Sequence, residues 1–160
     1  MNEQAVIESR VQAARDECAK HHRRLQAAWA EAVVMPALQG NSPDALTEAE
    51  VRILDQLVFR FGRLQDAMGT RLLPALLQYG LDWQERESFL DALNRAEKRE
   101  MIPSTDQWVD LRKLRNQTAH EYPERPDWVM TNLRNLVANT PQLLEIHTHM
   151  VAWMEKNIHL

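Results

Sequence analysis

Cysteine is almost missing from this chain of 160 residues, with Cys18 the only one. A lone thiol excludes an internal disulfide and any zinc site built on cysteines. A reducing cytosol is the simplest home for such a chain. Glycine is also scarce, at four residues, and no Gly-rich loop of the kind that cradles phosphate can be found. Runs of β-branched residues are absent, which argues against strands. No stretch of about 18 apolar residues occurs, so no membrane span is expected. The opening MNEQAVIESR carries acids and no apolar core, so a secretory leader is not expected. Basic charge is not in excess either. The net charge of −4 rules out a non-specific nucleic-acid glue, so any RNA contact needs a local patch.

What remains is a helical composition rich in Glu, Gln, Ala, Leu and Arg. A first helix is expected from about Asn2 to near Met35. Pro36 and the run Gly40-Asn41-Ser42-Pro43 mark a loop. Thr47-Glu48-Ala49-Glu50 reads as a capping box that opens a second helix. Gly62 and Gly69 lie two turns apart on one face of it. A glycine inside a helix costs about 1 kcal/mol against alanine, so the pair points to close approach of another helix. Pro74 should kink this helix or start a new turn, and Gly80 should stop it. Asp82-Trp83-Gln84-Glu85 reads as a second box, opening a helix that reaches about Met101. Ser104-Thr105-Asp106-Gln107 reads as a third. A last helix is expected from near Asp127 toward His159, with Pro141 as a kink or break in it. The outcome is an all-α fold, an antiparallel bundle of about five helices in a single domain over residues 1–160.

The chemistry concentrates in Arg115-Asn116-Gln117-Thr118-Ala119-His120-Glu121-Tyr122, followed by Pro123. Leu111, Leu114 and Thr118 share one helical stripe and should face the core. Asn116 and His120 stand at i, i+4, turned away from that stripe. On an ideal helix Arg115 and His120 diverge by roughly 140°. Two copies packed about a two-fold axis would bring Arg115, Asn116 and His120 of both chains into one cleft, hence an expected homodimer. Histidine titrates near neutrality and can take a proton from a ribose 2′-hydroxyl or give one to a leaving 5′-oxygen. Arginine holds a phosphate with a fork of donors. Asn116 can orient the imidazole or donate to a phosphate oxygen. Attack by the 2′-hydroxyl needs no metal, no protein nucleophile and no cofactor.

This stretch resembles the Arg-x4-His-x-Tyr signature of the HEPN superfamily, and in particular the HepT-like toxins of prokaryotic toxin–antitoxin pairs. Arg115, Asn116 and His120 match the HEPN pattern, and Tyr122 matches the HepT extension. The second helix, with Phe61-Gly62-Arg63-Leu64-Gln65-Asp66, resembles the helix that packs against the motif helix in such proteins, and gives Asp66 a supporting role at most. The resemblance implies a metal-independent endoribonuclease toxin with Arg115, Asn116 and His120 as its catalytic residues. It also implies a minimal nucleotidyltransferase antitoxin that transfers AMP to Tyr122. The same motif fits a non-catalytic HEPN module that assembles with a nucleotidyltransferase or presents substrate to it. A plain helical scaffold, with RNQTAHEY as a helix end, is the third reading.

Two further groups bear on this. Arg95, Lys98 and Arg99, then Arg112, Lys113 and Arg115, form a basic cluster whose ordinary use is a solvated helix face. From it Arg112 and Lys113, with the neighbouring Trp108, are candidate RNA contacts. His21-His22 and His147-Thr148-His149 do not read as metal ligands, because histidines one or two apart on a helix point in different directions.

Overall fold

The computed structural model describes residues 2–120 and 124–159. Its helices are α1 (Glu3–Ala32), α2 (Glu48–Ala67), α3 (Leu73–Tyr79), α4 (Phe89–Lys98), α5 (Thr105–Ala119) and α6 (Pro126–Asn157). A π-helical turn, Met68–Leu72, joins α2 to α3, so residues 48–79 make one long rod. Counted as rods the helices number five, and no strand occurs among the described residues. The fold is an all-α bundle.

The long helices run alternately up and down. Glu17 pairs with Arg71, and His21 with Arg60, which sets α1 antiparallel to α2. Gln107 meets Gln142, and Asn132 reaches the Gln117 carbonyl, so α5 and α6 are antiparallel too. Trp29 touches the Val137 carbonyl and Arg15 pairs with Glu155, which closes the ring between α1 and α6. One apolar core runs through it, from Val11, Leu25, Leu57, Phe61, Leu76 and Leu93 to Trp108, Leu143 and Met150. Cys18 belongs to that core, and burial pushes its thiol up to about 12, leaving it inert.

The caps explain most of the boundaries. Thr47 and Glu50 form the full reciprocal box at α2. Ser104 accepts from the Gln107 amide at 3.1 Å and opens α5. The box expected at Asp82-Trp83-Gln84-Glu85 does not form, and α4 starts six residues later than Asp82 would place it, with Ser88 as its cap. Asp82 turns instead toward Arg95 and Arg99 on the far end of α4. Burial works to raise its pKa, but the two guanidiniums outweigh that and hold its carboxyl below the ordinary range. The stop after α3 falls at Gly80 as expected, with Gly80 as the C-cap. Leu81, not Gly80, takes the left-handed conformation (φ 59°), and the Asp82 amide bonds back to the Leu77 carbonyl at 2.8 Å.

Both internal prolines are accommodated by name. Pro74 can donate no amide hydrogen and its ring crowds the carbonyl four residues back. The wider π turn lies directly before it, with the Leu73 amide reaching five residues back to Met68. Pro141 sits inside α6 without ending it. The carbonyl it leaves without a helical partner is that of Val137, and the Trp29 indole N–H fills the place at 2.9 Å.

Gly62 and Gly69 mark the crossing with α5. A Cβ on Gly69 would stand 3.0 Å from Cζ2 of Trp108, and one on Gly62 would stand 3.3 Å from Nε of Arg115. The glycines are seven residues apart on one rod. So are Trp108 and Arg115 on the other, in reverse order, as an antiparallel crossing requires.

Candidate active site

Arg115 lies on the fourth turn of α5, at the edge of the stripe that Leu111 and Leu114 turn inward. The bare backbone at Gly62 lets the guanidinium lie flat on α2. Asp66, one turn further along α2, then takes its fork: Nη1 donates to Oδ1 at 3.2 Å and Nη2 to Oδ2 at 2.9 Å. The contact is bidentate and half-exposed, and it fixes both the position and the plane of Arg115. Two of the five donors of the guanidinium are used in this way. Asp66 therefore has a defined task, holding the arginine that the motif supplies.

His120 does not continue the helix. It is the C-cap of α5, with φ −91° and ψ 138°, and its side chain is exposed. The helix carrying the motif therefore ends at Ala119. Asn116 stays on α5 and is exposed. The side chain of Thr118 bonds back to the Leu114 carbonyl at 2.9 Å, which competes with further helical pairing at this end. Tyr122, the candidate modification site, lies outside the described residues, as do Glu121 and Pro123.

Of the candidate RNA contacts, Arg112 and Lys113 are exposed on α5. Trp108 is not. It is 2% exposed, pressed on Gly69 and 6.2 Å from the Phe89 ring, so it cannot stack on a base. The larger basic cluster is partly neutralised from within, since Arg95 and Arg99 are held by Asp82 and Glu87. Arg112 lies over the Phe89 ring, its Cζ 5.4 Å from the centroid.

Two aromatic groups near the site were not singled out by the sequence. Trp128, 46% exposed, lies at the start of α6 with the Arg125 guanidinium 4.1 Å above its ring. It borders a shallow recess of about 300 Å³ lined also by Gln117, Thr131 and Asn132. Phe59 is exposed on α2, two turns before Asp66. Nothing in helical periodicity tells a packed tryptophan from an open one. The nearness of Arg125 to Trp128, and of Arg60 and Arg63 to Phe59, was the available signal.

The histidines outside the motif diverge as expected on α1. His21 turns to Arg60, and His22 turns to α6, where its Nδ1 lies 2.8 Å from Nδ1 of His147. Among the described residues, no group of three or more His, Cys, Asp or Glu gathers as metal ligands.

Comparison with protein-family models, with curated proteins and with solved structures gives no match to this chain. The functional reading therefore stands on the motif and on the geometry of α2 and α5.

Proposed function

We propose that this protein is a metal-independent endoribonuclease of the HepT-like kind, acting in the cytosol as a homodimer. The observation that carries the reading is the Arg115 guanidinium, laid flat over Gly62 and gripped by Asp66, five residues before an exposed His120. A preorganised cation with an exposed imidazole five residues further along the chain suits a phosphodiester whose charge grows in the transition state. The ribose 2′-oxygen attacks phosphorus and the bond from phosphorus to the 5′-oxygen breaks. His120 of one protomer takes the 2′-hydroxyl proton, and His120 of the second protomer protonates the leaving 5′-oxygen. Arg115 and Asn116 hold the phosphate oxygens. Among the described residues no helix is long and apolar enough to cross a membrane, which agrees with this placement.

The direct test is cleavage of RNA with a chelator present. Products should end in a 2′,3′-cyclic phosphate and a 5′-hydroxyl, and light scattering should give twice the 18.6 kDa chain mass. A chelator-sensitive reaction leaving 5′-phosphates would overturn the mechanism. A monomer that cleaves at full rate would overturn the shared site.

One observation favours the non-catalytic reading. Asp66 already matches the charge of Arg115, as it would for an arginine whose only task is to join α2 to α5. A dimeric protein that binds a nucleotidyltransferase but never cuts RNA would be that module.

The tyrosine carries its own test. A nucleotidyltransferase partner supplies ATP and a metal, the Tyr122 oxygen attacks the α-phosphorus, and pyrophosphate leaves with AMP now on the phenol. The added phosphate should compete with RNA for Arg115 and silence cleavage without unfolding the bundle. After co-expression with such a partner, intact mass should rise by one or more AMP units, and Tyr122→Phe should stay unchanged. Modification of Tyr122→Phe to the same extent would remove this assignment.

A further inference from the structure

The α2 face that holds Arg115 does not end at Gly62. Phe59, Gly62, Arg63 and Asp66 follow at i, i+3, i+4 and i+7, so they form one stripe along the helix. Phe59 is 51% exposed, and the guanidinium carbons of Arg60 and Arg63 lie 5.1 Å and 5.7 Å from its ring centroid. His21 holds Arg60 from behind, with Arg60 Nη1 donating to its Nδ1 at 2.8 Å. Arg24 joins the group from α1. After burial, the charges of Arg24 and Arg63 are what most disfavour the protonated form of Arg60. No ion pair to a carboxylate engages Arg24, Arg60 or Arg63 among the described residues, whereas Arg95, Arg99 and Arg115 all have one. A recess of about 410 Å³ adjoins this group, lined by Arg24, Arg52 and Gln56 together with Glu31.

We infer that Phe59, with Arg60 and Arg63 beside it, is a stacking platform for an unpaired base of single-stranded RNA, placed next along α2 from the Arg115 clamp. An open aromatic ring among uncompensated arginines is how proteins hold a single strand: the ring takes a base face and the guanidiniums take the flanking phosphates. An apolar protein partner would have to desolvate three arginines without returning a charge. Spacing agrees. Seven helical residues from Phe59 to Asp66 span about 10 Å, roughly two or three nucleotide steps along a stacked strand. A base seated on Phe59 thus sets which phosphate reaches Arg115. The duplex buries both faces of every base and cannot use the ring. The assignment of Arg115 to the scissile phosphate rests on the ribonuclease reading, and the binding of a single strand at Phe59 does not.

The test uses full-length His120→Ala protein, so that binding is measured without cleavage, and a fluorescent single-stranded oligoribonucleotide. Phe59→Ala should weaken binding roughly 5- to 100-fold and Phe59→Tyr should restore it. Arg63→Ala should weaken binding and reduce the salt slope by about one. Affinity for duplex RNA should not move with Phe59. Unchanged single-strand binding in Phe59→Ala overturns the platform, whatever the outcome of the cleavage assay. So does a change of oligomeric mass in Phe59→Ala, which would make the ring a protein contact. Loss of binding in Phe59→Ala together with full cleavage by His120→Ala would keep the platform and overturn the nuclease mechanism.

Discussion

His120→Ala should lower the rate of RNA cleavage by about 10²–10⁴-fold, the usual cost of removing a general acid or base. The fold should survive, because His120 is exposed and stands beyond the last residue of α5. Arg115→Ala should match it in rate but differ in cause, since the lost group stabilises charge and does not move a proton. Arg115→Lys should recover little. A lysine presents a point charge and cannot reproduce the two-donor fork that Asp66 orients at 2.9 and 3.2 Å. The pH profile separates the two: with His120 as base in one protomer and acid in the other, the histidine variant should lose both limbs, while the arginine variant should keep them. Full activity of a folded His120→Ala protein with chelator present would end the nuclease proposal.

Much of the bundle was legible because local chemistry decides it. The capping box at Thr47 needs only residues three apart and forms as read, whereas at Ser104 only the serine cap forms, the Gln107 side chain turning to Gln142. The two glycines on one face of the α2 rod, Gly62 on α2 and Gly69 in the π-helical turn, announced a close helix, and α5 is that helix. The box at Asp82 failed for a reason local sequence cannot carry. Arg95 and Arg99, thirteen and seventeen residues away, compete for the same carboxylate. The partner of the Val137 carbonyl is Trp29, 108 residues away, and only the packing of α1 on α6 brings them together.

The site divides the same way. The types and spacing of Arg115, Asn116 and His120 are visible as a string, but the hold of Asp66 on Arg115 depends on which face of α2 meets α5. That the helix ends at Ala119, before His120, is not written in the helix wheel. The two tryptophans differ for a related reason. Trp108 sits on the crossing of α5 with the α2 rod, where it is enclosed by Gly69 and Phe89, and Trp128 sits on the first turn of α6, where it stays 46% exposed under the Arg125 guanidinium.

Acid should unfold this protein earlier than its carboxylates alone would. His147 is 4% exposed on α6, its Nδ1 is 2.8 Å from Nδ1 of His22 on α1, and its buried Nε2 has no hydrogen-bond partner. At that separation one ring donates and the other accepts, so the contact cannot hold two imidazoliums. Burial first, and then the charge of His22, push His147 down to about 4. Burial lowers His22 as well, and His21 is lowered first by burial and further by Arg60. An unfolded histidine titrates near 6.5. Between that value and about 4 the unfolded chain binds protons that the folded bundle refuses, so stability is full above about pH 6.5 and falls as pH drops through the window. For His147 alone the loss is about 3 kcal/mol by pH 4. Glu17, Asp82, Glu97 and Asp127 are held below their ordinary values, so their contribution is lost only lower down, and the upper part of the window belongs to the histidines. Urea midpoints taken from pH 7.5 to 4.5 should decline in the wild type. In His147→Gln the whole curve should be flatter, whatever its height at pH 7.5. Two parallel curves would show that the His22–His147 contact is not where the acid sensitivity lies.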